Sequence, residues 1–184
     1  MKKKCVTVFG SGKITRGSSE YRVAYETGRL LAQSGFIHVS GGYGGTMVAG
    51  ARGAKEAKGE TIGVTIKNWG PPNPYTDTNY PAKDIYERLE KLLVLGEAYI
   101  ALPGATGTII ELAMAWERAL KGLSAPKPVV LIGDFWNPVI NLIGSKLAES
   151  TGAQKSAPGC LYSDFIVSTV NPEEAINVIK RKLN

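Results

Sequence analysis

Two glycine-rich segments each follow a short apolar run and precede a helical pattern. The first, Ser40–Met47, reads SGGYGGTM, and the second, Pro103–Thr108, reads PGATGT. Glycine lets the backbone approach a ligand closely, and a helix N-terminus presents unpaired N–H groups and a partial positive charge. Two such segments at one sheet edge predict a site for a phosphate-bearing small molecule, most simply a nucleotide. The candidate binding residues are Gly41, Gly42, Gly44, Gly45, Thr46, Met47, Pro103, Gly104, Thr106, Gly107 and Thr108.

Two familiar nucleotide motifs do not fit this chain. The segment 10–15, GSGKIT, resembles the end of a P-loop, but Ile14 takes the place of the Mg²⁺-binding hydroxyl and Thr7 that of the leading glycine. The glycines at 41–45 also lack the G-x-G-x-x-G spacing of a dinucleotide site. These departures count against a kinase-type or nicotinamide-binding protein.

Arg88 is the first candidate for chemistry. It lies in a helical pattern over 83–95 and is the only charge within the apolar arc of that helix. A guanidinium in such a place needs an anion or several acceptors, because an unpaired buried charge is costly. A structural carboxylate, or a side chain that extends out at the helix edge, satisfies the pattern equally well. The predicted buried residues of this helix are Ile85, Leu89, Leu92 and Leu93.

Glu111 is the second candidate. It lies one turn into the helix that Gly107 and Thr108 open, and helical side chains lean toward the N-terminus. Its carboxylate can therefore point at the second glycine segment. It also shares a mixed face with Arg118, so a solvated ion pair remains an open alternative.

Short β-branched runs alternate with helical patterns along the chain. This order predicts a single α/β domain over 1–184, a Rossmann-like, doubly wound parallel sheet with helices on both faces. The predicted strands are Cys5–Phe9, Ile37–Ser40, Thr61–Ile66, Ala98–Leu102, Pro128–Ile132 and Phe165–Ser168. The predicted helices lie near 20–34, 46–58, 83–95, 107–121, 136–149 and 172–182, with Ser19 as the first cap and Gly35 after its end. Two long loops, Lys67–Tyr80 and Ser150–Asp164, are candidate lids, binding walls or plain surface excursions.

Composition narrows the function classes. The 184 residues are 43% hydrophobic and 21% charged, as expected of a globular protein, and the formal net charge is +6. No stripe of basic and aromatic residues accompanies that charge, so we expect a small-anion ligand rather than nucleic acid. Cys5 and Cys160 form no disulfide framework. The lysines after Met1 resemble the charged start of a signal peptide, but the apolar run Cys5–Phe9 is too short to continue one, and no stretch is long enough to span a membrane. These features favour a reducing cytoplasmic location. The single histidine, His38, falls in a predicted strand, and we expect no metal site.

The motifs identify a family resemblance. PGATGTIIE at 103–111 resembles the PGGxGTxxE signature of the LONELY GUY (LOG) family, whose members also carry an older lysine decarboxylase label. The segment at Ser40–Met47 resembles that family's GGGxxGxM loop. Arg88 stands where we align the catalytic arginine of the family, and the likeness extends from about Ser19 to Leu131.

The resemblance implies an enzyme that hydrolyses the N-glycosidic bond of nucleoside 5′-monophosphates, releasing free base and ribose 5-phosphate. It implies Arg88 and Glu111 as the catalytic pair, phosphate held by Gly104, Gly107 and Thr108, no cofactor, and a homodimer with the site near the subunit interface. Cytokinin riboside monophosphates are among the substrates that it suggests. Nothing in the chain supports a Schiff-base lysine site of the kind that the decarboxylase label implies.

Three departures from the family pattern keep a second interpretation open. Ala105 replaces the second glycine of PGG, which would strain the loop if that position needs a positive φ. Leu89 replaces the lysine that usually follows the arginine, and the first-strand loop has GSGK at 10–13 in place of a Gly-Ser-Ser form. The alternative is a non-catalytic protein of the same fold that binds or carries a nucleotide or the molybdenum cofactor. Met114, between Glu111 and Arg118, suits either a partner-facing surface or the core.

Overall fold

The computed structural model describes residues 3–151 and 165–183, and every strand in this part of the chain joins one parallel sheet. The strands are β1 (Cys5–Phe9), β2 (Ile37–Ser40), β3 (Thr61–Gly63), β4 (Thr78–Asn79), β5 (Ala98–Ala101), β6 (Val129–Ile132) and β7 (Ile166–Thr169). The helices are α1 (Ser19–Gln33), α2 (Thr46–Glu56), α3 (Ile85–Leu95), α4 (Thr106–Leu120), α5 (Asn137–Thr151) and α6 (Pro172–Leu183). β-branched and aromatic residues fill the inner strands, as a sheet buried on both faces requires.

The strand order β4-β3-β2-β1-β5-β6-β7 makes the sheet doubly wound. From β1 the chain moves outward to β4, then returns to the other side of β1 and continues outward to β7. Helices α1, α2 and α6 contribute to one apolar cluster, and α3, α4 and α5 contribute to the other. The fold class predicted from the sequence is confirmed. Because winding reverses between β1 and β5, their carboxyl ends open a crevice where ligands bind in such folds.

The predicted elements are found close to their expected positions, with four differences. β3 ends at Gly63 rather than Ile66, although Ile66 forms an isolated bridge with Ala82. β4 was not predicted and lies inside the expected Lys67–Tyr80 loop. Ser18, not Ser19, caps α1: its side chain accepts a hydrogen bond from the Tyr21 N–H at 3.1 Å. Helix α5 extends to Thr151, and the rest of the second predicted loop, with Cys160, lies outside the described residues.

Burial follows the predicted pattern except at the start of α3. Leu92 and Leu93 are buried and Leu89 packs against the core, but half of Ile85 is exposed, so its predicted burial is wrong. The sheet covers the C-terminal turns of the helix and not its first turn. Among the described helices, none is both long and apolar enough to cross a membrane.

Candidate functional site

Helix α3, which carries Arg88, is capped at both ends. At its start, the Asp84 side chain accepts a hydrogen bond from the Glu87 N–H at 2.8 Å, and Glu87 accepts one from the Lys83 N–H at 2.7 Å. This reciprocal pattern satisfies two backbone donors. At its end, the Lys127 ammonium donates to the carbonyls of Leu93 at 2.8 Å and Gly96 at 2.6 Å, where the helix dipole favours a cation.

The Arg88 guanidinium lies at the carboxyl edge of the sheet, with its side chain 14% exposed. Its Nε–H donates to the Val64 carbonyl at 2.7 Å, Nη2 lies 3.9 Å from the Met47 sulfur, and Cζ lies 5.8 Å from the centre of the Tyr43 ring. Nη1 is 3.8 Å from a Glu111 carboxylate oxygen. Glu111 is therefore the anion that compensates the charge of Arg88 within the apolar arc of α3.

Glu111 occupies the second turn of α4 and is as buried as Arg88, at 14% exposure. It faces Arg88, so a solvated pair with Arg118 is not what the structure shows. The 3.8 Å separation exceeds a hydrogen bond, which leaves the carboxylate uncommitted to Arg88. Burial raises the pKa of Glu111 to about 7, against the smaller opposing effect of the Arg88 charge. A carboxyl group with this pKa can accept or donate a proton near neutral pH.

The second glycine segment ends in an exposed helix N-terminus. Ala105, Thr106 and Gly107 are exposed, and a Cβ at Gly107 would meet no atom within 4 Å. Ala105 has φ −107° and supplies no side-chain cap, so the position does not need a positive φ and the alanine is not strained. The first N–H groups of α4 have no partners within the helix. Gly104 serves packing, because a Cβ there would overlap the buried Thr108 hydroxyl.

The first glycine segment is packed against protein instead. A Cβ at Gly41 would overlap Arg88 Nη2, and one at Gly42 would lie 3.0 Å from the Thr65 methyl group. Gly45 has φ +63°, and a Cβ there would overlap the Ser11 carbonyl. That same carbonyl accepts hydrogen bonds from the Thr46 N–H at 2.9 Å and hydroxyl at 3.1 Å. Close packing thus explains these glycines without a ligand, and the segment's main contribution to the site is the space for Arg88.

Sequence reasoning did not nominate Tyr43 or Asn73. The Tyr43 hydroxyl accepts a hydrogen bond from the Ile66 N–H at 2.8 Å and donates to its carbonyl at 3.3 Å. Asn73, in the long loop, donates from its N–H to the Gly42 carbonyl at 2.7 Å and from its side chain to the Tyr43 carbonyl at 3.2 Å. The loop that holds Asn73 therefore packs along the first glycine segment. The sequence feature that could have singled out Tyr43 is its position as an aromatic residue inside a run of glycines.

His38 lies in β2 and is fully buried, which fits the expected core position. Neither ring nitrogen has a hydrogen-bond partner among the described residues, and burial lowers its pKa to about 4. Within residues 3–151 and 165–183, no three His, Cys, Asp or Glu side chains lie close enough together to hold a metal ion.

The doubly wound sheet defines a Rossmann-like protein, and its candidate ligand site consists of the helix N-terminus without a side-chain cap at the switch point and the buried arginine–glutamate pair beside it. The chain matches the SLOG cluster4 family over residues 3–151 and belongs to that family. The resemblance to the LOG family seen in the sequence is thereby confirmed.

Three comparisons illustrate the relationship. An uncharacterized protein of Archaeoglobus fulgidus is 31% identical over 133 residues, 72% of this chain and 87% of the relative. A protein of Rhodococcoides fascians named cytokinin riboside 5′-monophosphate phosphoribohydrolase is 31% identical over 156 residues, 79% of this chain and 77% of its own. The solved structure of the molybdenum cofactor binding protein from Rippkaea orientalis superposes with a TM-score of 0.76 and 27% identity, covering 100% of this chain and 99% of the other.

Proposed function

We propose that the protein hydrolyses the N-glycosidic bond of nucleoside 5′-monophosphates and releases free base and ribose 5-phosphate. The observation that carries this proposal is the buried Arg88–Glu111 pair, 3.8 Å apart, on the two helices that flank the sheet's carboxyl edge. The similarity to the Rhodococcoides fascians phosphoribohydrolase supports the same reaction. A cytokinin riboside monophosphate is one substrate to test, alongside the common nucleotides.

We place the substrate phosphate at the N-terminus of α4. The exposed Thr106 and Gly107 begin this helix, and its N-cap residue, Ala105, leaves the first N–H groups without a side-chain acceptor. By contrast, Ser18 caps α1 and Asp84 caps α3. The N–H groups at a helix start, which lack partners within the helix, and the positive end of the helix dipole suit a phosphate. Anchoring the phosphate there holds the ribose next to the second turn of α4, which contains Glu111.

Glu111 is proposed to act on water and on the developing charge. As the bond between the anomeric carbon and the base nitrogen breaks, positive charge builds on the ribose, and a nearby carboxylate stabilises it. Water adds its oxygen to the anomeric carbon and gives one proton to Glu111, while the departing base takes the bonding electron pair and receives one proton from solvent. Glu111 then returns its proton to solvent, which restores the carboxylate. A carboxylate whose pKa is about 7 is a better base than an ordinary one. Arg88 is proposed to hold the substrate and balance the charge of the site.

A non-catalytic binding protein is the second candidate. The match to the molybdenum cofactor binding protein of Rippkaea orientalis over almost the full length of both chains favours it. A carrier needs the phosphate site at α4 but does not need a carboxyl group that ionises near neutral pH. The two candidates therefore differ in what Glu111 does, and not in whether a phosphorylated ligand binds.

A homodimer is proposed as the working form. Helices α3 and α4, which carry Arg88 and Glu111, also expose large apolar side chains, and the 40% exposure of Met114 argues against a core position. An apolar surface beside the site suits a second copy of the chain. Introducing glutamate at both Tyr86 and Ile110 is expected to give a monomer in sedimentation, whereas a wild-type monomer at micromolar concentration would refute the dimer. The exposed apolar residues are Ile85, Tyr86, Val94, Ile109, Ile110 and Met114.

The test of the reaction is an assay for ribose 5-phosphate with a panel of nucleoside 5′-monophosphates. Wild-type protein should release it from at least one member, and Arg88→Ala and Glu111→Ala should each lower the rate by about a thousandfold. Glu117→Ala, which removes an exposed carboxylate from the same helix, and Arg52→Ala, which removes a surface arginine, are the matched controls. No release from any nucleotide, with binding retained, would favour the carrier.

A further inference from the structure

Few contacts determine where the Arg88 guanidinium lies. It carries five N–H donors, yet among the described residues the hydrogen bond to the Val64 carbonyl at 2.7 Å is the one it makes to an oxygen. Met47 and Glu111 lie 3.9 and 3.8 Å from its terminal nitrogens, beyond strong hydrogen bonds. The Tyr43 ring covers the guanidinium at 5.8 Å, within the range of a cation–π contact.

Tyr43 is itself held in place. Its hydroxyl makes two hydrogen bonds with the backbone of Ile66, and its carbonyl accepts a hydrogen bond from the Asn73 side chain. Val64, whose carbonyl holds Arg88 Nε, lies two residues before Ile66. One short backbone segment after β3 therefore fixes both the cation and the aromatic ring that contacts it.

Arg88 and Glu111 are close enough to form a more favourable, directly hydrogen-bonded ion pair. A guanidinium and a carboxylate at the same buried edge normally close to hydrogen bonds of about 2.7–2.9 Å. Here the nearest atoms stay 3.8 Å apart. Closure would tie up the carboxylate and the cation together, so neither could act on a substrate. Some other contact of Arg88 must therefore hold its guanidinium away from the Glu111 carboxylate.

We propose that Tyr43 is that restraint, a positioning residue whose ring and hydrogen bonds to Ile66 hold the Arg88 guanidinium away from Glu111. The contribution of Tyr43 to catalysis rests on the proposed function. Its effect on the distance between Arg88 and Glu111 can be measured without any turnover. Tyr43 is absent from the residues that the family resemblance implies. Arg88 is the charged group that the structure sets against Glu111 within the described part of the chain. The titration of Glu111 therefore reports how close Arg88 lies.

The experiment is an NMR titration of the Glu111 carboxyl carbon, assigned with Glu111→Gln, in wild type and three variants. Releasing Arg88 onto the carboxylate in Tyr43→Leu should lower the midpoint by about one pH unit, because an opposite charge at closer range favours the ionised form. Tyr43→Phe keeps the ring but loses its anchor to Ile66, so it should lower the midpoint by about 0.3 unit. The control is Tyr25→Leu, which removes the tyrosine that Arg52 covers at 5.8 Å on the opposite face of the sheet and should change nothing.

A folded Tyr43→Leu protein with the wild-type midpoint would overturn the proposal. If that variant does not fold, Tyr43→Phe decides, and a midpoint identical to wild type would overturn it. The ribose 5-phosphate assay is then run on the same proteins. Lowered midpoints in a protein without turnover would leave the positioning role standing and refute the proposed hydrolysis instead.

Discussion

The two glycine segments look alike in the sequence but have different surroundings in the structure. In Ser40–Met47, the residues Gly41, Gly42 and Gly45 lie against neighbouring protein atoms, and the first N–H of α2 is taken by the Ser11 carbonyl. In Pro103–Thr108, Gly107 faces open space and the start of α4 has no side-chain cap. The same residue type thus makes room for Arg88 in one segment and leaves open space, where we propose that a ligand binds, in the other.

This contrast shows what a glycine count can and cannot establish. Close approach of the backbone is common to both segments, but the sequence does not say whether the approaching group is a side chain, another loop or a phosphate. Adding a methyl group at each glycine distinguishes the cases. A packing glycine should lose stability or displace its neighbour, whereas a ligand-facing glycine should lose affinity alone.

Among the glycine variants, the largest effect is expected for Gly45→Ala. Its φ of +63° disfavours a side chain, and the new methyl group would overlap the backbone of Ser11, so the free energy of unfolding should fall by about 3–4 kcal/mol. Chemical denaturation measures the change. Gly44→Ala is the matched control, because its Cβ would meet the Gly12 carbonyl at an ordinary 3.5 Å. Equal losses in the two variants would contradict the packing explanation.

Next in size is Gly41→Ala, which should act through Arg88. The added methyl group must displace the guanidinium, so kcat/KM for nucleotide hydrolysis should fall by about a hundredfold. The double variant Gly41→Ala with Arg88→Ala should be no slower than Arg88→Ala alone, because both changes remove the same group. Losses that multiply would mean that Gly41 has a separate role, such as contact with phosphate.

The contrast extends to what could be predicted from the sequence. Inner strands and helices follow from the spacing of apolar residues, and the apolar arc of α3 correctly marks Arg88 as a cation in need of an anion. Its partner was not determined by periodicity, because Glu111 reaches it from another helix. β4, at Thr78–Asn79, is too short and polar to have a pattern and exists only because it pairs with Ile62 and Gly63.

Burial along α3 shows the same limit. Periodicity gives the direction of the apolar arc, but it does not say how far along the helix the sheet extends. For this reason the pattern predicts that Ile85 is buried, whereas half of it is exposed. The anchoring of Tyr43 depends on Ile66, more than twenty residues later, and no local pattern encodes that contact. Both misses concern tertiary neighbours rather than local structure.

The third prediction concerns the stability contributed by Glu111. Because its pKa is raised to about 7 in the folded protein, the folded state binds more protons than the unfolded chain between about pH 4.5 and 7. Stability is therefore lost as pH rises through that range. Relative to wild type, Glu111→Gln should gain about 2–3 kcal/mol in unfolding free energy between pH 5 and pH 8. Denaturation at the two pH values measures this, and a pH-independent difference would show that the carboxyl group is not protonated in the fold.

The smallest effect on the fold is expected for Gly107→Ala. With no atom within 4 Å of the new methyl group, unfolding free energy should stay within about 0.5 kcal/mol of wild type. Nucleotide affinity should fall about threefold, because the methyl group enters the space in which we place the phosphate. Thermal unfolding and titration calorimetry separate the two quantities. Unchanged affinity together with unchanged stability would remove Gly107 from the proposed phosphate site.

Glu111 is proposed to perform chemistry on a ligand that the rest of the site binds. The most direct test compares turnover and nucleotide affinity in Glu111→Ala, using the nucleoside 5′-monophosphate that wild type hydrolyses fastest. Turnover should fall by about a thousandfold while the dissociation constant changes by less than about threefold, since we propose that the start of α4, and not Glu111, holds the phosphate. Turnover that survives in the variant, or affinity that falls in proportion to turnover, would contradict the account.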